Sequence, residues 1–457
     1  MYLPGLGSLE IKSEEGRRIL PAVTMLATGN YVVPYVGGEP YLRKPPLINW
    51  LVAASFKLFG VQNEWTARLP SVVCVLAAAL TFLFVARPSL GANGSFFAAL
   101  MWLTNFGIIE KGRLIEIEAL YVSLFGIAII CWLTFWQQRR SSWLAWIVPA
   151  LFLALGILAK GPLHLLFFYG IVCVVLFRAG ELRSLVHPAH GVGVVLMLGV
   201  FAAWAVPYLQ MTAGLNTGAV WSRQFTGRLS GEDVDLGRWI MNIPRAFAYG
   251  LPWALLLFFV RSAFSGSREG RMAHAIAIST AALFVGINLV PGALPRYAMP
   301  LLVPAVWLIA NILTAEQLIG SNPLAGPTTW MRRNVPAVAL TIAAAICIYG
   351  FALVPFLAKR EKVRNIARQI DAAVPAGERL FVVDPEYQPF LFYLRTPFAY
   401  SSDVEKVPGD ARFVLVQSRD AQRALKSRRW TQPLREVARV TDYRKKTVIL
   451  FALGGDS

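Results

Sequence analysis

The chain has 457 residues, 56% of them hydrophobic and only 15% charged, where a soluble globular chain carries about 25% charge. That balance excludes an ordinary soluble enzyme and reads as a polytopic α-helical membrane protein, because apolar runs near the ~20 residues needed to cross a bilayer recur along the chain. The net charge of +18 does not indicate a nucleic-acid partner, since the basic residues flank apolar runs, where they orient spans and meet anionic lipid.

The chain begins with "MYLPGLGSLEIKSEEGRR", which contains no span and lacks the basic start and apolar core of a signal peptide. Residues 1–66 read as one outside loop with juxtamembrane helices, and the expectation is that the genomic frame continues upstream into a further apolar helix. Within this loop Glu14 and Glu15 precede Arg17 at the head of a helix-like run. A carboxylate held beside an arginine at a membrane face suits a general base; acids at a helix start also complement its dipole.

Next comes "GGEPYLRKPPLINWLVAASFKLFG". Arg43 and Lys44 stand together, and Pro45 and Pro46 stiffen the backbone beside them. Lys44 is a candidate phosphate ligand, a compact charge on a restrained stem, or a basic anchor for headgroups. The segment 47–59 is too short to cross and reads as an interfacial helix.

Spans are expected near 69–87, 94–110, 117–136, 142–158, 161–178, 192–210, 245–261, 272–290, 297–314 and 335–357, making ten or eleven in all and a core of 67–357. With the start outside, the inside loops are Arg87, "QQRRSS", "FRAGELRS", "RSAFSGSREGR" and "WMRRN", nearly all basic. The outside loops hold the acids, in "KSEEGRR", "EKGRLIEIE" and "SGEDVDLGR".

Three further candidates lie at span mouths on the outside. Glu116 and Glu118 open a span where burial becomes expensive, and ionisable groups there mark cavities. Two residues apart, they point to different faces of a helix. Lys160 in "ILAKGP" and Arg296 with Tyr297 in "PGALPRYAMPLLVP" share that rim. Arg296 is suited to clamp a phosphate, or to snorkel to the interface. Cys74, Cys131, Cys173 and Cys347 each sit alone in apolar runs, giving neither a disulfide framework nor zinc spacing. His164, His187, His190 and His274 form no ligand pair with an acid. No cofactor is expected; a divalent metal stays open, without support in the residues.

Beyond residue 357 the composition changes. "EKVRNIARQIDAAV" has helical spacing, and "RLFVVD", "RFVLVQS" and "TVILFAL" read as short strands. Residues 358–457 are expected to form a small soluble α/β domain.

Taken in order, "EEGRR", "PYLRKPPLINW", "LFG", "ARLPS", the acids before "ALY", "AKGP" and "LPRYAMPLLVP" resemble the GT-C superfamily of polyprenyl-phosphate-sugar glycosyltransferases. The resemblance is strongest to the lipid A aminoarabinose transferases and the protein O-mannosyltransferases, and covers residues 1 to about 360. It implies a multi-pass protein of the inner membrane with its active site on the periplasmic face. The implied reaction moves a sugar from a polyprenyl-phosphate donor to a lipid, glycan or protein acceptor, with inversion. Glu14 falls at the catalytic acid, with glutamate where the family usually has aspartate. Glu118 best matches the second-loop acid, with Glu116 beside it. Glu15, Arg17, Arg43, Lys44, Lys160, Arg296 and Tyr297 fall on the substrate side, Arg43 replacing the family's usual acid. Two other readings stay open: a carrier or flippase for lipid-linked sugars using the same basic rim, and a catalytically silent relative. A carrier is expected to show repeat symmetry and polar residues at mid-span, and the chain shows neither.

Overall fold

The computed structural model describes the chain except residues 216, 220, 223–234, 264–267, 315–324, 384–387, 442–445 and 455–457. The acidic loop "SGEDVDLGR" and the basic loop "RSAFSGSREGR" fall partly outside the described residues. The chain forms two compact units. One comprises Met1–Tyr2, Arg43–Leu47 and Ser71–Cys347; the other comprises Leu3–Leu42, Ile48–Pro70 and Ile348–Ser457.

The first unit is a bundle of apolar helices. Among the described residues of the whole chain, seven helices are long and apolar enough to cross a membrane, or eight if one bent pair counts as a span. The hydropathy pattern predicts ten or eleven, and the differences have local causes. The run at 94–110 is two helices, Arg87–Leu103 and Phe106–Gly112, bent by 56°. Asn105 sits at the break, its side chain accepting from the Gly107 amide at 3.2 Å, as an N-cap does. The run at 245–261 is no regular span: after Gly250 and Pro252 it winds as a 3₁₀ helix, Trp253–Ala263, because proline removes a helix donor and clashes with the preceding turn. The run at 161–178 is the shorter helix Leu163–Ala179. An apolar run records burial in lipid but not where the backbone breaks. The segment expected at the interface is the short helix Leu47–Phe59.

Ile117–Gln137 is the central helix, with 94% of its most apolar stretch buried, against 22% for Pro188–Met211. A helix that is apolar all round belongs in the middle of a bundle, whereas the exposed apolar face of Pro188–Met211 suits lipid contact. Trp132 of the central helix stacks on Trp136 and packs against Trp146 and Phe168. The N-terminus of this helix is where Glu116 and Glu118 lie.

The second unit joins the front of the chain to the C-terminal segment. It cuts across the boundaries expected at residues 66 and 357, since Leu3–Leu42 and Ile48–Pro70 group with Ile348–Ser457. Hydrogen bonds between segments more than 300 residues apart account for the grouping. A tight hairpin of β1 (Tyr35–Val36) and β2 (Glu39–Pro40) turns at Gly37 and Gly38, both at positive φ, a conformation that favours glycine. Gly37 is needed twice over. Its carbonyl accepts from the Tyr400 amide at 2.7 Å, and a Cβ there would lie 2.6 Å from that nitrogen.

The C-terminal sheet contains β3 (Leu380–Val383), β4 (Phe398–Ser401), β5 (Phe413–Gln417), β6 (Leu434–Thr441) and β7 (Thr447–Leu453), in the order β4-β3-β5-β7-β6. Pairs β3–β4 and β3–β5 are parallel; β5–β7 and β6–β7 are antiparallel. The three strands expected from sequence are β3, β5 and β7, the inner ones. Their core includes Val383, Val414, Val416, Ile449 and Phe451. The two strands not anticipated are the edges. β6 carries Arg435, Glu436 and Arg439 on a mostly exposed strand, which blunts edge-to-edge pairing but hides the apolar alternation that marks a strand.

Candidate active site

In the membrane unit, three residues at helix ends, far apart in sequence, meet. Glu118 Oε1 lies 3.3 Å from Lys160 Nζ and 3.1 Å from Arg296 Nε. Each arrives from a different element. Glu118 is in the first turn of Ile117–Gln137, Lys160 caps the C-terminus of Ser142–Ala159, and Arg296 lies in the 3₁₀ turn Pro295–Leu301. Breaks at "KGP" and "PGALP" put these cations at helix ends, where backbone stops and side chains can converge. The ammonium of Lys160 also lies 4.8 Å from the centroid of the Tyr297 ring and 5.1 Å from that of Tyr121, within cation–π range. Glu118 is 9% exposed, Lys160 13% and Arg296 32%. Arg296 is thus the member most open to a ligand.

Beside this cluster Lys111 bridges Glu110 at 2.8 Å and Glu116 at 3.3 Å. Burial pushes the Glu116 carboxyl up to about 7, with the Glu118 charge adding to the rise and Lys111 opposing it. A group near that value exchanges its proton at neutral pH. The loop between the cations and acids is pinned by Arg113, which donates to the carbonyls of Met1 and Tyr2 at 2.7 and 3.0 Å.

A cavity of about 540 Å³ in the same unit is lined by Phe247, Trp253, Ile278, Phe284, Ala298 and Leu301, among others. Ala298 and Leu301 belong to the same 3₁₀ turn as Arg296. The lining is mostly apolar, and the arginine's own element forms part of the wall. Arg43 and Lys44 belong to this unit by their contacts; Arg43 is exposed and Lys44 half-buried.

The acids of the first loop lie in the other unit. Both Glu14 oxygens accept from Arg17 Nη1, each at 2.9 Å, and the carboxylate lies 3.9 Å from Arg18. It stays partly exposed, at 33%. Glu15 is different. The sequence motif places it on the substrate side, but it is buried against Arg68, whose Nε and Nη2 reach its two oxygens at 2.8 and 2.9 Å. The remaining Arg68 donors go to the carbonyls of Leu6, Leu9 and Glu10. All of its donor positions are thus engaged and no room is left for a ligand, which makes Glu15 part of the scaffold. The structure therefore groups Glu118, Lys160, Arg296 and Tyr297 in one cluster, sets Glu116 beside it on Lys111, and pairs Glu14 with Arg17 in the second unit.

Sequence reasoning missed Lys111, Arg68 and Tyr121. Lys111 is visible inside "EKGRLIEIE", one residue from an acid, and Arg68 inside "ARLPS", a cation at a span start. Tyr121 carries no signal, because an aromatic in an apolar run reads as packing. Among the described residues no three His, Cys, Asp or Glu side chains gather into a metal-holding group. The acids of the cluster face cations instead, so this donor set does not fit a divalent ion held by protein ligands alone.

Comparisons with known proteins agree with the fold. A family model described as dolichyl-phosphate-mannose-protein mannosyltransferase matches residues 43–206, a range holding Lys44, Glu116, Glu118 and Lys160 but neither Glu14 nor Arg296. The chain is 27% identical over 63% of its length to the undecaprenyl phosphate-alpha-4-amino-4-deoxy-L-arabinose arabinosyl transferase 1 of Pseudomonas fluorescens, covering 51% of that protein. It is 23% identical over 74% of its length to an uncharacterized protein of Aquifex aeolicus, covering 66% of it. The chain thus spans about half to two thirds of these curated relatives. The crystal structure of ArnT from Cupriavidus metallidurans bound to undecaprenyl phosphate superposes with a TM-score of 0.74 at 19% identity, over 98% of this chain and 95% of that one. The chain thus has the fold of that transferase structure, and over residues 43–206 it is similar to the mannosyltransferase family.

Proposed function

We propose that the chain transfers a sugar from a polyprenyl-phosphate donor to an acceptor of the cell envelope, at the periplasmic face of the inner membrane. The observation that supports this best is the convergence of Lys160 and Arg296 on Glu118, with Arg296 in the same 3₁₀ turn as two wall residues of an apolar cavity. An isoprenoid phosphate needs both parts: an apolar groove for the chain and fixed cations for the head. The relatives named for undecaprenyl-phosphate-linked aminoarabinose support the same donor class and make lipid A one acceptor to test.

In the reaction, an acceptor oxygen attacks the sugar's anomeric carbon. The bond from that carbon to the phosphate oxygen breaks, its electron pair staying on the lipid phosphate. Negative charge therefore gathers on the phosphate, where Arg296, Lys160 and Lys44 stabilise it. Glu14 takes the acceptor's proton when the acceptor is a hydroxyl, and displacement from the opposite face inverts the anomeric centre. Arg17 fixes the orientation of the Glu14 carboxylate. Glu118, engaged by two cations, acts by orienting them rather than by proton transfer. Glu116 on Lys111 stores a proton next to them. Tyr297 stacks on Lys160 and confines its swing, and Arg43 faces the solvent side, where it attracts the anionic donor.

The test is release of free polyprenyl phosphate from a synthetic polyprenyl-phosphate-linked aminoarabinose by the purified protein in nanodiscs containing lipid A. Release that depends on lipid A, with mass gain on the acceptor, is the expected result. Movement of the donor between leaflets with no release would replace the transferase with a carrier. Because the acids of the cluster are engaged by cations, release should persist in EDTA; loss restored by one divalent ion would add that ion to the site.

A further inference from the structure

The Glu14-bearing turn is an unusual piece of backbone. Ser13, immediately before Glu14, has φ of 57°, a left-handed conformation that a serine adopts only when its surroundings impose it. Hydrogen bonds from two directions impose it. From the inside, Arg68 holds the carbonyls of Leu6, Leu9 and Glu10, and within the turn the Lys12 amide donates to Glu15 at 3.2 Å. From the C-terminal domain come two more: the Ile11 amide donates to the Tyr393 hydroxyl at 2.6 Å, and the Glu10 amide donates to the Glu361 carboxylate.

The attachment is reciprocal. Glu10 returns its own carboxylate to the amides of Val363 and Arg364, at 2.7 and 3.2 Å, capping the first turn of the helix Val363–Ala373. Tyr393 in turn donates its hydroxyl hydrogen to Glu64 at 2.8 Å, and Arg364 pairs with the same carboxylate while lying 5.0 Å over the Tyr393 ring. Glu64 is buried, so losing either partner leaves its carboxylate short of a compensating group. Every one of these residues belongs to the second unit. Through one oxygen, Tyr393 joins the backbone before Glu14, the start of the span Glu64–Val85 and the C-terminal domain.

We propose that the C-terminal domain is a clamp that positions the Glu14-bearing turn, with Tyr393 as its positioning residue. Tyr393 touches no reacting atom. It acts by holding Ile11, and through Ile11 the strained Ser13 and the direction of Glu14. The inference rests on the transferase reading for its kinetic part, but not for its structural part.

Tyr393→Phe in the full chain separates the two. Hydrogen–deuterium exchange of residues 9–16 should rise about tenfold, the protection carried by one hydrogen bond. Turnover should fall about 10–100-fold, the scale of a small misplacement of a reacting group, with the KM for the polyprenyl donor unchanged. Arg364→Gln, which weakens the same Glu64 junction but leaves the hydroxyl in place, should move both readouts in the same direction and less; it decides the matter if the phenylalanine variant does not fold. Arg439→Ala, at an exposed pair on β6, should move neither. Unchanged exchange at residues 9–16 would overturn the clamp, and so would raised exchange with full turnover, or a raised donor KM at constant turnover. Absence of release by the unsubstituted protein would sink the transferase reading alone, and the exchange result would then judge the clamp by itself.

Discussion

Glu15 and Glu118 each meet a guanidinium, and they differ in how much of the cation they consume. Glu15 takes the Nε and Nη2 of Arg68 at 2.8 and 2.9 Å, and backbone carbonyls take the rest. That pair is dry and saturated. Glu118 meets Arg296 at 3.1 Å and Lys160 at 3.3 Å, and the arginine keeps a third of its side chain exposed. A saturated buried pair has nothing left with which to recognise a ligand, and breaking it strands a charge. A half-covered pair of cations on one acid is pre-oriented yet open to an incoming anion. The first arrangement builds the scaffold; the second suits a site.

Substitutions that separate scaffold from site put this contrast to the test. The largest effect is expected at Glu14. Glu14→Gln should cut turnover by about 10²–10⁴-fold, as loss of a general base does, while the melting temperature stays put. Its neighbour supplies the control: Glu15→Gln should lower the melting temperature. If the two variants behaved alike, the assignment of the adjacent acids would be wrong.

Arg68→Ala should destabilise by about 3–5 kcal/mol, the cost of leaving a buried carboxylate alone, seen as a loss of folded protein after detergent extraction. Arg68→Lys should recover little, because an ammonium cannot fork onto two oxygens. Lys160→Met and Lys44→Ala should each raise the donor requirement by about tenfold, on the scale of one charge-assisted hydrogen bond, with the fold intact. An unchanged donor requirement at Lys44 would leave it a headgroup anchor.

The smallest effect concerns pH. Since the Glu116 carboxyl in the folded protein is raised to about 7, the folded state holds a proton that the unfolded chain releases near the ordinary glutamate value. Its contribution to stability is therefore full in acid and is lost as pH rises through that folded value. Melting temperature measured from pH 5 to 8 should decline more steeply in the wild type than in Glu116→Gln. Parallel curves would show that Glu116 titrates normally.

The membrane class is legible from sequence alone, because apolar runs of span length have no other common use, and so are the inner strands, whose β-branched alternation is dense. The charged residues at span mouths are legible too, because an ion at that depth is costly and therefore noticeable. Their partners are not. That Glu118 gathers Lys160 and Arg296 depends on three helix ends meeting, which is a matter of packing and not of any local pattern. Nor does local chemistry show that Glu15 is scaffold: Glu14 and Glu15 are the same chemistry one residue apart, and only the folded turn sends one to Arg17 and the other into the core against Arg68. The grouping of the first loop with the C-terminal segment likewise arises only on folding. Its bonds run from backbone amides to Tyr393, Glu361 and Glu10 across more than 300 residues, and a backbone amide carries no sequence signal.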